Sequence, residues 1–159
     1  MDNNIGAIER VTQNRVVGLF RDVLKYDYLG NWEYRDGNSN IEEGLLRKYL
    51  NRREYAEKEI NSAVTKLKQA AINIGNGLYN ANKDVYTLLR YGVNVQADIS
   101  ERKKMVHVID WENPAENDFY IAEEVTIHGT SDRRPDVVVY VNGIAVAVIE
   151  LKRSTVSIN

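Results

Sequence analysis

The chain has 159 residues, 43% hydrophobic and 28% charged, with a net charge of −2. That suffices for one domain with a true core, and it leaves no bulk positive charge to draw in nucleic acid, so any such role needs a local site. There is no cysteine, which excludes disulfides, thiolate zinc sites and cysteine nucleophiles.

His107 and His128 stand too far apart for a zinc motif. No run reaches the length of a membrane span. The start "MDNNIGAIER" lacks the basic and apolar regions of a signal peptide. A soluble cytoplasmic protein with no membrane partner is expected.

The first half reads as helices. Ile5, Ile8, Thr12, Val16, Leu19 and Val23 recur at spacings of three and four, an amphipathic stripe with one polar member. "YDYLGNWEYRDGNSN" breaks the pattern and reads as an exposed loop. Ser39 with Glu42 fits a capping box, with Asn40 as an alternative cap. Ile41, Leu45 and Tyr49 form the next stripe, and a third helix is expected over about 55–71 with Ile60, Val64, Leu67 and Ala71 inward. "NIGNGLYNAN" reads as a turn, and a short helix from Asn82 to Tyr91 ends at Gly92.

Beyond about residue 92 the period changes. "MVHVID", "FYIAEEVTI", "DVVVYV" and "IAVAVIEL" are β-branched or apolar runs of strand length. Alternation puts Phe119, Ile121, Glu123, Val125 and Ile127 on one face. Val137–Val141 and Ile144–Ile149 are apolar on both faces, so helices are expected to cover both sides of them. The helical part is thus about 1–91 and the sheet part about 92–159. No G-x-x-x-x-G-K-[ST] loop is present to cradle a nucleotide phosphate.

Charges sit at the ends of the last two strands. Asn142–Gly143 is a strong hairpin signal and brings Asp136 near Glu150-Leu151-Lys152. Glu150 and Lys152 share a strand face. A plain two-residue loop pairs Val141 with Ile144 and turns Asp136 away from Glu150. A three-residue loop with Gly143 at positive φ and a G1 bulge pairs Tyr140 with Ile144 instead. A bulge of this kind, or another that restores parity, is expected.

If they meet, the three groups suit a hard cation. Two nearby carboxylates repel each other unless a proton or a metal intervenes. Mg²⁺ takes one or two carboxylates, keeps several waters and leaves room for phosphate oxygens. Asp136 and Glu150 are the candidate metal ligands, and the Leu151 carbonyl is a further one. Lys152 is placed to orient or deprotonate a water, or to hold a phosphate. The string D…(D/E)-x-K is weak by itself, because charges also mark where buried strands surface into solvent.

The segments "NIEEGLLRKYL", "DVYTLLRYGVNV", "MVHVIDWENPAENDF" and "RRPDVVVYVNGIAVAVIELKR" together resemble the N-terminal region of the restriction (R) subunit of type I restriction–modification enzymes. The resemblance spans essentially the whole chain and implies a nuclease domain of the PD-(D/E)xK type. The implied fold is α/β, restriction-endonuclease-like, with a mixed central sheet flanked by helices and a helical N-terminal half. The implied reaction is Mg²⁺-dependent cleavage of double-stranded DNA. Asp136, Glu150 and Lys152 fall on the catalytic motif. The implied partners are the methyltransferase and specificity subunits, since nothing in the chain reads as a groove-reading helix. Members of the family are far longer and carry an ATP-driven motor and a glutamine-containing helix after the E-x-K. Here only seven residues follow Lys152, so residues 1–159 read as a truncated piece, inactive alone, with ATP belonging to the motor region. A competing reading makes the segment a non-catalytic docking module.

Other residues carry two readings each. Glu9 is an exposed helix acid or an added metal ligand. Arg133 and Arg134 are a solvated loop pair or phosphate forks. Lys103 and Lys104 are a polar turn or backbone contacts. Trp32 and Trp111 pack on a neighbour or stack on a base. His107 reads as an ordinary strand residue. The acids Glu116, Asp118, Glu123 and Glu124 are expected to lie away from DNA.

Overall fold

A computed structural model of the chain describes residues 5–73, 75, 77–96, 102–128 and 131–151, with side chains from residue 10 onward. The elements are α1 (Ile5–Gly18), β1 (Asp27–Asn31), α2 (Glu43–Arg52), α3 (Glu57–Ile72), α4 (Leu78–Tyr91), β2 (Val93–Val95), β3 (Lys104–Val106), β4 (Phe119–Glu123), β5 (Val137–Val141) and β6 (Ile144–Ile149). The chain divides into two compact units: Met1–Asn40 with Phe119–Asn159, and Ile41–Asp118. The fold is mixed α/β. Among the described residues no helix is long and apolar enough to cross a membrane.

The first unit is built on a mixed sheet of order β1-β4-β5-β6. β1 runs parallel to β4, and β4, β5 and β6 are antiparallel neighbours. β1 lies inside the stretch expected to be a loop. Its Gly and Asn are tolerated because it is an edge strand with few buried positions. Trp32, just after it, is buried and packs against Tyr140 with ring centroids 5.7 Å apart, in line with the packing reading.

Helix α1 faces the sheet through Val17, which joins Ile121, Val137 and Val139 in a core flanked by Phe20, Tyr26 and Ile149. The expected stripe is therefore off by about one residue. Gln13 and Val17 are buried, whereas Leu19 and Val23 are exposed. A π-helical turn over Leu19–Val23, in which Leu24 N–H reaches the Leu19 carbonyl at 3.0 Å, shifts the phase at this point.

β5 is buried along Val137–Tyr140, as expected for a central strand. β6 is not. It is an edge strand, and Val146 and Val148 are exposed. Apolar composition alone does not separate a covered strand from an uncovered edge.

The second unit packs α3 against α2, α4 and the β2–β3 ribbon. Ile60, Ala63, Val64 and Leu67 are buried at helical spacing, and Leu46, Tyr49 and Leu50 are buried on α2. The N-cap residue of α2 is Glu42, with no side-chain cap, rather than Ser39 or Asn40. A half box forms on α3 instead, where the Glu59 carboxylate accepts from Ala56 N–H at 2.9 Å. α4 begins four residues before the expected start and ends at Gly92, φ 90°. β3 stops at Val106, so His107 lies in the following loop. Lys104 pairs with Glu59 at 3.0 Å.

Candidate nuclease site

The hairpin that carries the motif has both a tight turn and a bulge. Asn142 and Gly143 have φ of 51° and 85°, the paired positive values of a type I′ turn. Val141 pairs directly with Ile144, and Tyr140 with Ala145. The three-residue loop is therefore replaced by a two-residue one. The register then shifts between Val139 and Tyr140, so that Val139 pairs with Ala147 and Val146 is the extra residue.

That bulge restores parity. Val138 pairs with Val148 and Val137 with Ile149, and one further step sets Asp136 opposite Glu150. Cross-strand partners share a face. The Leu151 N–H donates to Asp136 Oδ2 at 2.5 Å, tying the first acid to the middle of the E-x-K tripeptide. Asp136 is half-buried and Glu150 exposed. Lys152 lies outside the described residues, and so does the side chain of Glu9.

A buried polar cluster stands beside Asp136. Glu123 ends β4 and is only 4% exposed. Its Oε2 accepts from Gln13 Nε2 at 2.9 Å and faces Arg10 at 3.2 Å. Its Oε1 accepts from the Tyr28 hydroxyl at 2.6 Å. Burial, then the bond to Glu123, pushes the Tyr28 phenol up to about 12. Glu124 has a left-handed backbone, φ 50°. Its side chain therefore meets the same Gln13 at 3.0 Å, and Arg134 Nε lies 3.1 Å from it. The Asp136 carbonyl is held from two sides, by Glu124 N–H at 3.0 Å and Gln13 Nε2 at 3.3 Å.

Sequence reasoning missed this cluster. Glu123 and Glu124 adjoin Asp136 and are not remote from the site. The available signal was alternation, which already placed Glu123 on the Ile121 face, where an acid needs partners. Arg134 is engaged by Glu124 and Glu33. Arg133 forms an isolated backbone bridge with Ile127. Neither arginine contacts the Asp136 carboxylate in any described bond.

A mixed sheet with a helix packed on it is consistent with a nuclease-like α/β fold. The family model for the type I restriction enzyme R protein N terminus matches residues 8–159, and the chain belongs to that family. It is 34% identical over 132 residues to the Methanocaldococcus jannaschii protein assigned as the type I restriction enzyme MjaIXP endonuclease subunit, covering 76% of this chain and 12% of the relative. It is 28% identical over 167 residues to the type I restriction enzyme HindI endonuclease subunit of Haemophilus influenzae, covering 94% of this chain and 15% of the relative. The chain thus spans only a small fraction of either relative's length. No solved structure matches it.

Proposed function

We propose that this chain is the nuclease-bearing N-terminal part of a type I restriction endonuclease R subunit. In the full subunit it would hydrolyse phosphodiester bonds of double-stranded DNA, with methyltransferase and specificity subunits as partners. The observation that supports this reading most is the bulge-restored register that sets Asp136 opposite Glu150, with Asp136 bonded to Leu151 N–H.

The donor set suits Mg²⁺. Two carboxylates, Asp136 and Glu150, and the Leu151 carbonyl are all hard oxygen ligands, and Mg²⁺ needs few of these because it keeps its waters. When bound, Mg²⁺ would supply Lewis-acid stabilisation of the charge that builds on the phosphate oxygens. Asp136 is held for that task by its bond to the Leu151 backbone and by the two donors on its own carbonyl. Lys152 would orient the attacking water or take its proton. ATP would serve only a motor region beyond this segment.

The test uses the full subunit with its partners and supercoiled plasmid. Asp136→Ala, Glu150→Ala and Lys152→Ala are each expected to lower cutting about 10²- to 10³-fold, the size seen when one group that stabilises a transition state is lost. Retained cutting in all three rejects the assignment. The docking reading draws on one observation, the exposed Val146 and Val148 on edge strand β6. Mn²⁺ titration of the 159-residue chain separates the two: binding that Asp136→Ala abolishes favours the nuclease, and its absence favours docking.

A further inference from the structure

The second unit contains a pocket that the nuclease reading does not use. Its volume is about 230 Å³, below the ~300–1,000 Å³ typical of sites for drug-sized ligands. Arg53, Tyr55, Arg90, His107, Asp110 and Trp111 line it.

Trp111 forms the aromatic wall. The ring is 48% exposed, yet it is fixed in place by its Nε1–H, which donates to the Leu89 carbonyl at 2.8 Å. The Arg90 guanidinium stands 5.3 Å from the ring centroid, close enough to add cation–π attraction. Arg90 is in the last turn of α4 and Trp111 follows β3, so two separate elements build this corner.

The acid in the pocket is already committed. Asp110 Oδ1 accepts from Glu112 N–H at 3.1 Å and Asn113 N–H at 2.8 Å, and Oδ2 pairs with Arg53 at 3.1 Å. Arg53 keeps further N–H donors, because a guanidinium has five. Tyr55 accepts from His107 N–H at 3.1 Å, which leaves its own O–H to donate. The open valences of the pocket are thus mostly donors, set beside one aromatic face. Glu112 also lines the pocket and is exposed, so salt screens its charge.

A donor-rich pocket with a stacking wall complements an anion joined to a flat ring. We propose that it binds one nucleotide, with the base on Trp111 and the phosphate on Arg90 and Arg53. The nucleotide is either free or part of a single strand. A base within an intact duplex is stacked on its neighbours and does not present its face.

Tryptophan fluorescence of the 159-residue chain tests this, in EDTA so that no strand is cut. Trp32 is buried and Trp111 half exposed, so quenching reports on the pocket. The probes are dAMP, a short single-stranded oligonucleotide, the same sequence as duplex, and inorganic phosphate. Quenching by dAMP or by the single strand, at least tenfold stronger than by duplex or phosphate, supports the proposal. Which of the two binds tells free nucleotide from strand. Arg90→Ala is expected to weaken binding at least tenfold and, for the strand, to lower the salt slope by about 0.7 for the lost phosphate contact. No quenching at millimolar probe, equal binding of phosphate or duplex, or unchanged binding by a natively folded Arg90→Ala chain overturns it. Asp136→Ala leaves this binding intact, so the pocket and the nuclease assignment fail separately.

Discussion

The two units satisfy their buried acids differently. In the unit of α2, α3 and α4, which packs around Leu46, Tyr49, Leu50, Ile60 and Leu67, the buried acids Glu59 and Asp110 accept from backbone N–H groups close by in the chain and pair with Lys104 and Arg53. In the sheet unit, α1 presses a glutamine against a strand that ends in a buried glutamate, and Gln13 and Glu123 are both about 5% exposed. Desolvating a carboxylate is costly, and a dry contact would be simpler. The expense falls beside Asp136, where Gln13 and Glu124 hold the backbone of the first motif acid. The difference teaches where to look for chemistry: one unit holds its buried acids by backbone bonds close by in the chain, and the other holds Glu123 by side chains drawn from distant parts of the chain, next to its candidate site.

The largest expected effect tests the apolar core of the α2–α4 unit. Leu50 is fully buried on α2. Leu50→Ala is expected to cost about 3 kcal/mol, from the lost transfer energy plus the cavity left behind. Urea unfolding gives the magnitude. Hydrogen exchange followed residue by residue should show the loss in α2–α4 amides. Equal loss in the β4–β6 amides would erase the distinction between the units.

Gln13→Ala tests the polar cluster beside Asp136. It removes a donor shared by two carboxylates and the Asp136 carbonyl. A hydrogen bond to a charged group contributes about 1.5–3 kcal/mol, so a loss of about 2 kcal/mol is expected, centred on α1 and β4. Gln13→Glu sharpens the point. A third carboxylate beside Glu123 and Glu124 should destabilise more than alanine does at pH 7, and part of the loss should return as pH falls. If alanine and glutamate behave alike at every pH, the acids are not held together as described.

Much of this was legible in the sequence. Period 3.6 gave α3 and its inward Ile60, Val64 and Leu67, and period 2 gave the strands with Asp136 and Glu150 at their ends. The need for a bulge also followed, because parity is arithmetic on a pleated strand. Its place did not: the Asn-Gly turn was satisfied at once, and the extra residue, Val146, went where edge strand β6 is exposed. β1 was hidden because Asp27–Asn31 carries no apolar alternation and is held by pairing with β4. The face of α1 differs from the expected stripe because Gln13 counts as polar although its partner Glu123 is 110 residues away.

Gly92 offers a smaller test in the α2–α4 unit. It stops α4 with φ 90° and ψ 169°, a region that side chains avoid. A Cβ there would also lie 2.8 Å from Met105 Cγ. Methionine is flexible and can move aside, so the backbone sets most of the cost. Gly92→Ala should lose about 1.5 kcal/mol in urea unfolding, within the usual range for a strained φ/ψ pair. A loss near zero would mean that the α4–β2 junction adopts another conformation.

The smallest effect is expected at Tyr28 and shows only at high pH. Its hydroxyl donates to Glu123, and its pKa stands at about 12 against an ordinary 10. The folded chain therefore holds this proton more tightly than the unfolded chain does. The stabilisation it brings is complete below pH 10 and is lost as pH rises from 10 to 12. The Tyr28 side of the cluster is open to solvent, since Tyr28 is 39% exposed, and screening makes the loss modest. Urea midpoints at pH 9 and pH 11 should therefore fall further apart in the parent chain than in Tyr28→Phe. Contributions common to both chains cancel in that difference. Parallel pH dependence would mean that the phenol gives no proton to Glu123. Gln13 and Arg10 would then carry the buried acid alone, and the cost of Gln13→Ala should rise accordingly.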